Sequence, residues 1–73
     1  MAKKGGNAVY RVTQVIGTSS QSWEDAARNA VKAAAGTLRD LRIAEIEKLD
    51  VKIENGKVTQ FRARLALSFK YGG

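Results

Sequence analysis

Cysteine, histidine and proline are all missing from this 73-residue chain. Without cysteine there are no disulfides and no thiolate metal sites. Without histidine there is no imidazole ligand and no histidine acid–base chemistry. Aromatics are few, with one tryptophan, two tyrosines and two phenylalanines. No apolar run approaches the ~20 residues of a membrane span. Met1 to Asn7 is polar and glycine-rich and lacks the apolar stretch of a secretory signal. The cytoplasm is therefore the expected compartment, with no membrane partner.

A nucleophile motif is missing as well. There is no Gly-x-Ser-x-Gly, and Gly17, Gly36 and Gly56 are too scattered to cradle a phosphate. These absences argue against an enzyme. They also leave the fold short of support, because a lone core in ~70–80 residues seldom yields more than about 3–5 kcal/mol. With disulfides and thiolate or imidazole metal sites excluded, self-association is the expected remedy.

Basic residues outnumber acidic ones, 13 to 7, giving a net charge of +6. A basic nucleic-acid-associating module is thus one alternative. The cations are spread from Arg11 to Lys70 in no block of five, which disfavours that alternative.

The pattern along the chain reads β-α-β-β, an α+β fold. Residues 1–7 are expected to be a flexible basic tail, 8–71 a single domain and 72–73 a short C-terminal tail. Ala8–Ile16 is rich in β-formers, and Gly17 is expected to end that strand. Hydroxyls from Thr18 to Ser22 offer a helix cap at Ser19 or Ser22, with Glu24 and Asp25 suited to the first turn. One helix is expected from about Ser20 to Arg39. Its apolar stripe would be Trp23, Ala27, Ala30, Val31, Ala34, Leu38 and Leu41.

From Ile43 to Ile53 strict alternation would put Ile43, Glu45, Glu47, Leu49, Val51 and Ile53 on one side. Asn55-Gly56 is a strong hairpin signal, because both residues tolerate positive φ. A third strand, Val58–Tyr71, follows and pairs antiparallel with the second. It alternates Phe61, Ala63, Leu65, Leu67 and Phe69 against Gln60, Arg62, Arg64, Ala66 and Ser68.

Two charged groups invite chemistry. Arg62 and Arg64 share a strand face and are candidates for an anion contact. Glu45, Glu47, Asp50 and Glu54 form the main acidic cluster. Of these, Glu45 and Glu47 are the candidate ligands of a divalent cation, Ca²⁺ or Mg²⁺, if several subunits converge. Ion pairs between the basic set and Glu45 and Glu47 across subunits are the competing account.

Ile16-Gly17-Thr18-Ser19, Thr37-Leu38-Arg39 with Glu45-Ile46, Asn55-Gly56-Lys57-Val58 and Leu67-Ser68-Phe69-Lys70, in that order and spacing, resemble the dodecins. The resemblance runs from Val9 to Tyr71. It implies a three-stranded antiparallel sheet partly wrapped round one helix, assembled as a hollow homo-dodecamer. It also implies a non-enzymatic protein that binds or stores a small ligand, flavin in many members. The flavin-facing positions are altered, however. The family's stacking tryptophan falls at Ile43 and its next aromatic at Ala44. The ring-edge glutamine falls at Arg62 and a side-chain-contacting acid at Lys48. Isoleucine has no π-face and arginine has only donors, so flavin binding is expected to be weak or lost. A structural shell stabilised by divalent cations is the alternative. Trp23 is a candidate for a displaced stacking platform, against a simple packing role.

Overall fold

Helix α1, Trp23–Ala35, lies against one face of a three-stranded antiparallel sheet made by β1, Tyr10–Ser19, β2, Leu41–Glu54, and β3, Lys57–Lys70. The computed structural model describes residues 9–70, so the expected tails at 1–7 and 72–73 lie outside the described residues. The strand order is β1-β3-β2, with β3 in the middle. The β-α-β-β order is thus as the sequence predicts.

The first strand corrects one expectation. It does not stop at Gly17 but runs on to Ser19. Glycine is needed there for a different reason. A Cβ on Gly17 would stand 2.0 Å from the Ala26 carbonyl oxygen and 2.8 Å from the Ala30 Cβ. The helix and strand touch backbone to backbone at this point. Alanines on α1 make that approach feasible, since Ala26, Ala30 and Ala34 are its buried residues. With Ala63, Leu65 and Leu67 from β3 they form the core, flanked by Val15, Ala27, Val31, Leu38 and Leu41.

The helix is shorter than its sequence pattern suggests. Ser22 is the N-cap, its hydroxyl accepting from the Asp25 backbone N–H at 3.0 Å. Ser19 supports the same turn: its hydroxyl donates to the Asp25 carboxylate at 2.7 Å and accepts from the Gln21 N–H at 2.9 Å. At the other end Gly36 caps the helix, and the chain turns through Thr37 and Leu38, whose N–H groups both reach the Ala34 carbonyl. Leu38 and Leu41 therefore meet the core from beyond the helix, Leu41 as the first residue of β2. Asp40 takes a left-handed φ of 57° on the way.

Asn55 and Gly56, at φ of 51° and 74°, make the hairpin turn the sequence calls for. The strands on either side do not keep strict alternation. Register shifts fall between Leu41 and Ile43, between Ile46 and Lys48, and between Lys52 and Ile53. Arg42, Glu47 and, on β3, Thr59 are the extra residues. Each bulge moves the following side chains to the other face. Leu41, Ala44, Ile46, Leu49 and Val51 consequently oppose the helix-side residues of β3, while Ile43 and Glu45 oppose Ser68 and Ala66 on the outer face. The expected grouping of Ile43 with Leu49 and Val51 is corrected by these bulges.

Length sets what the helix covers. Thirteen helical residues span about 20 Å, whereas a fourteen-residue strand spans about 46 Å. The molecule measures 57 × 21 × 15 Å, and the far end of the β2–β3 hairpin carries Ile53 and Val58 exposed.

Candidate functional site

The outer face of the sheet, away from α1, gathers most of the residues singled out by the sequence. Pairing across the strands arranges it in rows. Val12, Ser68 and Ile43 make one row, and Gln14, Ala66 and Glu45 the next. Then come Ile16, Arg64 and Lys48, followed by Thr18, Arg62 and Asp50. Glu47, at the bulge, also presents its carboxylate on this face. The Gln14 side-chain amide donates to it at 2.9 Å, crossing above Ala66. Ala66, between Gln14 and Glu45 on the central strand, is 7% exposed although it faces away from the core.

Of the four positions that the sequence resemblance sets at a ligand site, Ile43, Lys48 and Arg62 share the outer face. Ala44 does not. It lies opposite Leu67 on the helix side and lines a cleft of about 490 Å³ between α1 and β2. That cleft has an apolar floor of Ala27, Val31, Ile46 and Leu65, with Arg28 and Lys32 also lining it. Ile43 stands 61% exposed. Three rows separate it from Arg62, about 20 Å along the strand. One planar ligand cannot touch both within a single chain.

Arg62 is already engaged. Its Nε and Nη2 donate to the two carboxylate oxygens of Asp50 at 2.7 and 3.2 Å. The side-chain hydrogen bond from Arg62 is the main cause holding the Asp50 carboxyl below its ordinary pKa, with the charges of Arg62 and Arg64 adding to it. The same bond raises Arg62. Of the proposed anion contact, Arg64 alone has no ion pair among the described residues. It faces Lys48 directly. The sequence reading missed Asp50 as the partner of Arg62. Counting back from the Asn55-Gly56 turn sets Asp50 opposite Phe61, and only the bulge at Thr59 brings it to Arg62.

The candidate cation ligands fall on one face, but they are only two. Among the described residues no group of three or more acidic, histidine or cysteine side chains could hold a metal ion. Calcium takes six to eight oxygens, so one chain offers an incomplete set and further copies would have to complete it.

Trp23 is not beside these positions. Its ring meets Phe61 edge-on with centroids 5.1 Å apart, and its indole N–H donates to the Asp50 carbonyl at 3.0 Å. Phe61 belongs to the helix side of β3, so the tryptophan packs behind the sheet from Ile43. Among the described residues no helix is long and apolar enough to cross a membrane.

Residues 9–72 match the family model for dodecin. The chain belongs to the dodecin family. The calcium dodecin of Mycobacterium tuberculosis is 42% identical over 64 residues, 86% of this chain and 89% of that protein. Among solved structures, dodecin from Streptomyces coelicolor superposes with a TM-score of 0.85 at 40% identity, covering 92% of this chain and 96% of its own. A crystal structure of the M. tuberculosis calcium dodecin, described as calcium chelating with a novel calcium-binding site, superposes at 0.77 with 41% identity, covering 85% and 89%. The dodecin fold seen in these relatives is the β-α-β-β arrangement described above.

Proposed function

We propose that this dodecin is a non-enzymatic cytoplasmic protein that assembles as a hollow homo-dodecamer and binds or stores a small ligand, with flavin binding weak or lost. Ile43 is the observation that carries the reading. It occupies the place of the stacking aromatic, stands out from the outer face, and offers an incoming ring no π-system. Arg62, at the place of the ring-edge amide, has its Nε and one Nη2 donor committed to Asp50 and offers no acceptor. The scaffold is kept while the flavin-facing groups are replaced. Support for assembly comes from the thin alanine core and from a sheet with one face uncovered in so short a chain.

A second reading is favoured by likeness to the calcium dodecin of M. tuberculosis, in sequence and in structure. In it the ligand is a divalent cation, Ca²⁺ before Mg²⁺, held where Glu45 and Glu47 of several copies converge, and its role is to stabilise the shell. Native mass spectrometry of the purified protein tests both. It reports stoichiometry together with any retained ligand mass. A dodecamer with bound calcium selects the second reading, and a dodecamer with an organic ligand the first. A folded 7.9 kDa monomer at micromolar concentration overturns both.

A further inference from the structure

The cleft between α1 and β2 is built like a ligand site. The helix packs mainly over β1 and β3, so the helix side of β2 is left open beside it. Ile46 lies on that side, opposite Leu65, yet is 51% exposed. The cleft's volume of about 490 Å³ falls within the range of small-molecule pockets, about 300–1,000 Å³, which are mostly apolar with a few convergent polar groups. A smaller recess of about 180 Å³ adjoins it and shares Val31 and Ala44. Leu65 lines the first and Leu67 the second, so the two follow one another along β3. The groove is therefore longer than it is wide.

Its charge is one-sided. Arg28 and Lys32 are four residues apart on α1 and stand side by side on the helix bank. Arg42, on β2, lines the smaller recess. Among the described residues no carboxylate lines either recess, and Arg28 and Lys32 make no ion pair. Arg42 has one long pair, to Asp40 at 4.0 Å. An apolar floor under a cationic rim selects a ligand with a chain that gains by leaving water and a head that carries negative charge. Setting this cleft against the same cleft of another copy would bring cations to cations, so that surface is not its complement.

We propose that the cleft binds a free medium-chain aliphatic carboxylate, one per chain. The alkyl chain lies along Val31, Ala44 and Ile46, and the carboxylate meets Arg28 and Lys32. A linear chain follows the long axis of the groove, which a broad ring system does not. Ala44 keeps the groove open, because its side chain is a single methyl group at the junction of the two recesses.

The proposal rests on the small-ligand reading above and gives it a place and a ligand class. Decanoate, below its micelle-forming concentration, is titrated calorimetrically into the assembled protein at low salt. Decanol keeps the chain without the charge, and acetate keeps the charge without the chain. Decanoate should bind one per chain, about tenfold or more tighter than decanol, and acetate should give no heat. Ala44→Phe fills the groove and should abolish binding. Arg28→Gln with Lys32→Gln alters two exposed side chains outside the core. It should weaken decanoate binding about tenfold, by a margin that narrows as salt is added. If Ala44→Phe does not fold, the glutamine variant and the decanol comparison decide alone. Absence of decanoate binding overturns the proposal, whether or not a neighbouring copy is what covers the cleft. Equal binding of decanoate and decanol overturns it too, as does binding that the glutamine variant leaves unchanged. An organic ligand retained in native mass spectrometry that excess decanoate does not displace overturns this placement while the small-ligand reading stands.

Discussion

Arg62 lies directly opposite Asp50 across the β3–β2 ladder and takes both of its carboxylate oxygens, at 2.7 and 3.2 Å. The hydrogen bond favours the ionised carboxyl and lowers its pKa in the folded chain. A lowered folded value means that the unfolded chain binds the proton first. The pair's stabilisation is then fully present above the ordinary aspartate value of about 3.9 and is lost as pH falls through the folded value. Arg62 stays charged throughout this range. We predict that Asp50→Asn flattens the acid limb of stability. Urea midpoints measured from pH 5 down to pH 2 should converge for the two proteins at the acid end. A constant gap between them across that range would contradict the assignment. The pair is solvent-facing, so the effect is small.

Gly17 gives a larger one. A methyl group there meets the Ala26 carbonyl at 2.0 Å and the Ala30 Cβ at 2.8 Å. Both belong to the helix body, so the helix must move off the strand. Overpacking of this kind costs roughly 1–3 kcal/mol, occasionally more, and backbone on one side of the clash leaves little room to relax. Gly17→Ala should lower the melting temperature by roughly 10 °C or more. Gly36→Ala is the control, since its nearest contact is 3.4 Å.

These two positions also show how far the sequence could be read. The Gly-Thr-Ser after the first strand was visible, but as a strand end. Nothing in one strand's sequence shows that an alanine helix will cross its backbone at van der Waals distance. The Asn55-Gly56 turn fixed Glu54 opposite Lys57 and Ile53 opposite Val58. Counting on from there without interruption sets Asp50 against Phe61. The bulge at Thr59 sets it against Arg62 instead, and the bulge at Glu47 then shifts the count back. A bulge leaves no composition signal, because any residue can be the extra one. So the charged residues of the site were legible as types, and Arg62 and Arg64 as neighbours on one face. Strict alternation sets Glu45 and Lys48 on opposite sides, and only the bulge at Glu47 brings them to the same one. The pairing across strands was not legible. β3 was read correctly from Gln60 to Lys70 because no bulge falls within that stretch on it.

A bound cation would act through mass action. A ligand present at a hundred times its Kd stabilises by about 2.7 kcal/mol, roughly 10–20 °C in a domain of this size. If Glu45 and Glu47 supply the oxygens, calcium should raise the melting temperature and excess chelator should lower it. Glu45→Gln with Glu47→Gln should remove the difference. Melting unchanged by either addition leaves ion pairs across copies as the better account of the acidic row.

Flavin separates the family's ligand from the family's fold. In the proposed placement a ring held between two copies would meet Ile43 twice, where an aromatic contact is worth about 0.5–1.5 kcal/mol beyond area. A buried hydrogen-bonding edge that meets the wrong group costs about 1–3 kcal/mol more. Together the losses come to about 2–6 kcal/mol, or about one and a half to four decades in affinity. Trp23 cannot make them good, because it packs against Phe61 on the opposite side of the sheet. The unaltered chain should therefore quench riboflavin or FMN fluorescence weakly or not at all. Ile43→Trp with Arg62→Gln should recover part of the affinity. Arg62→Gln frees Asp50, whose carboxylate faces solvent and tolerates the loss of its partner. Lys48 is then the remaining obstacle, and adding Lys48→Asp tests it. Tight binding by the unaltered chain would show that ring stacking is not what holds flavin in this protein.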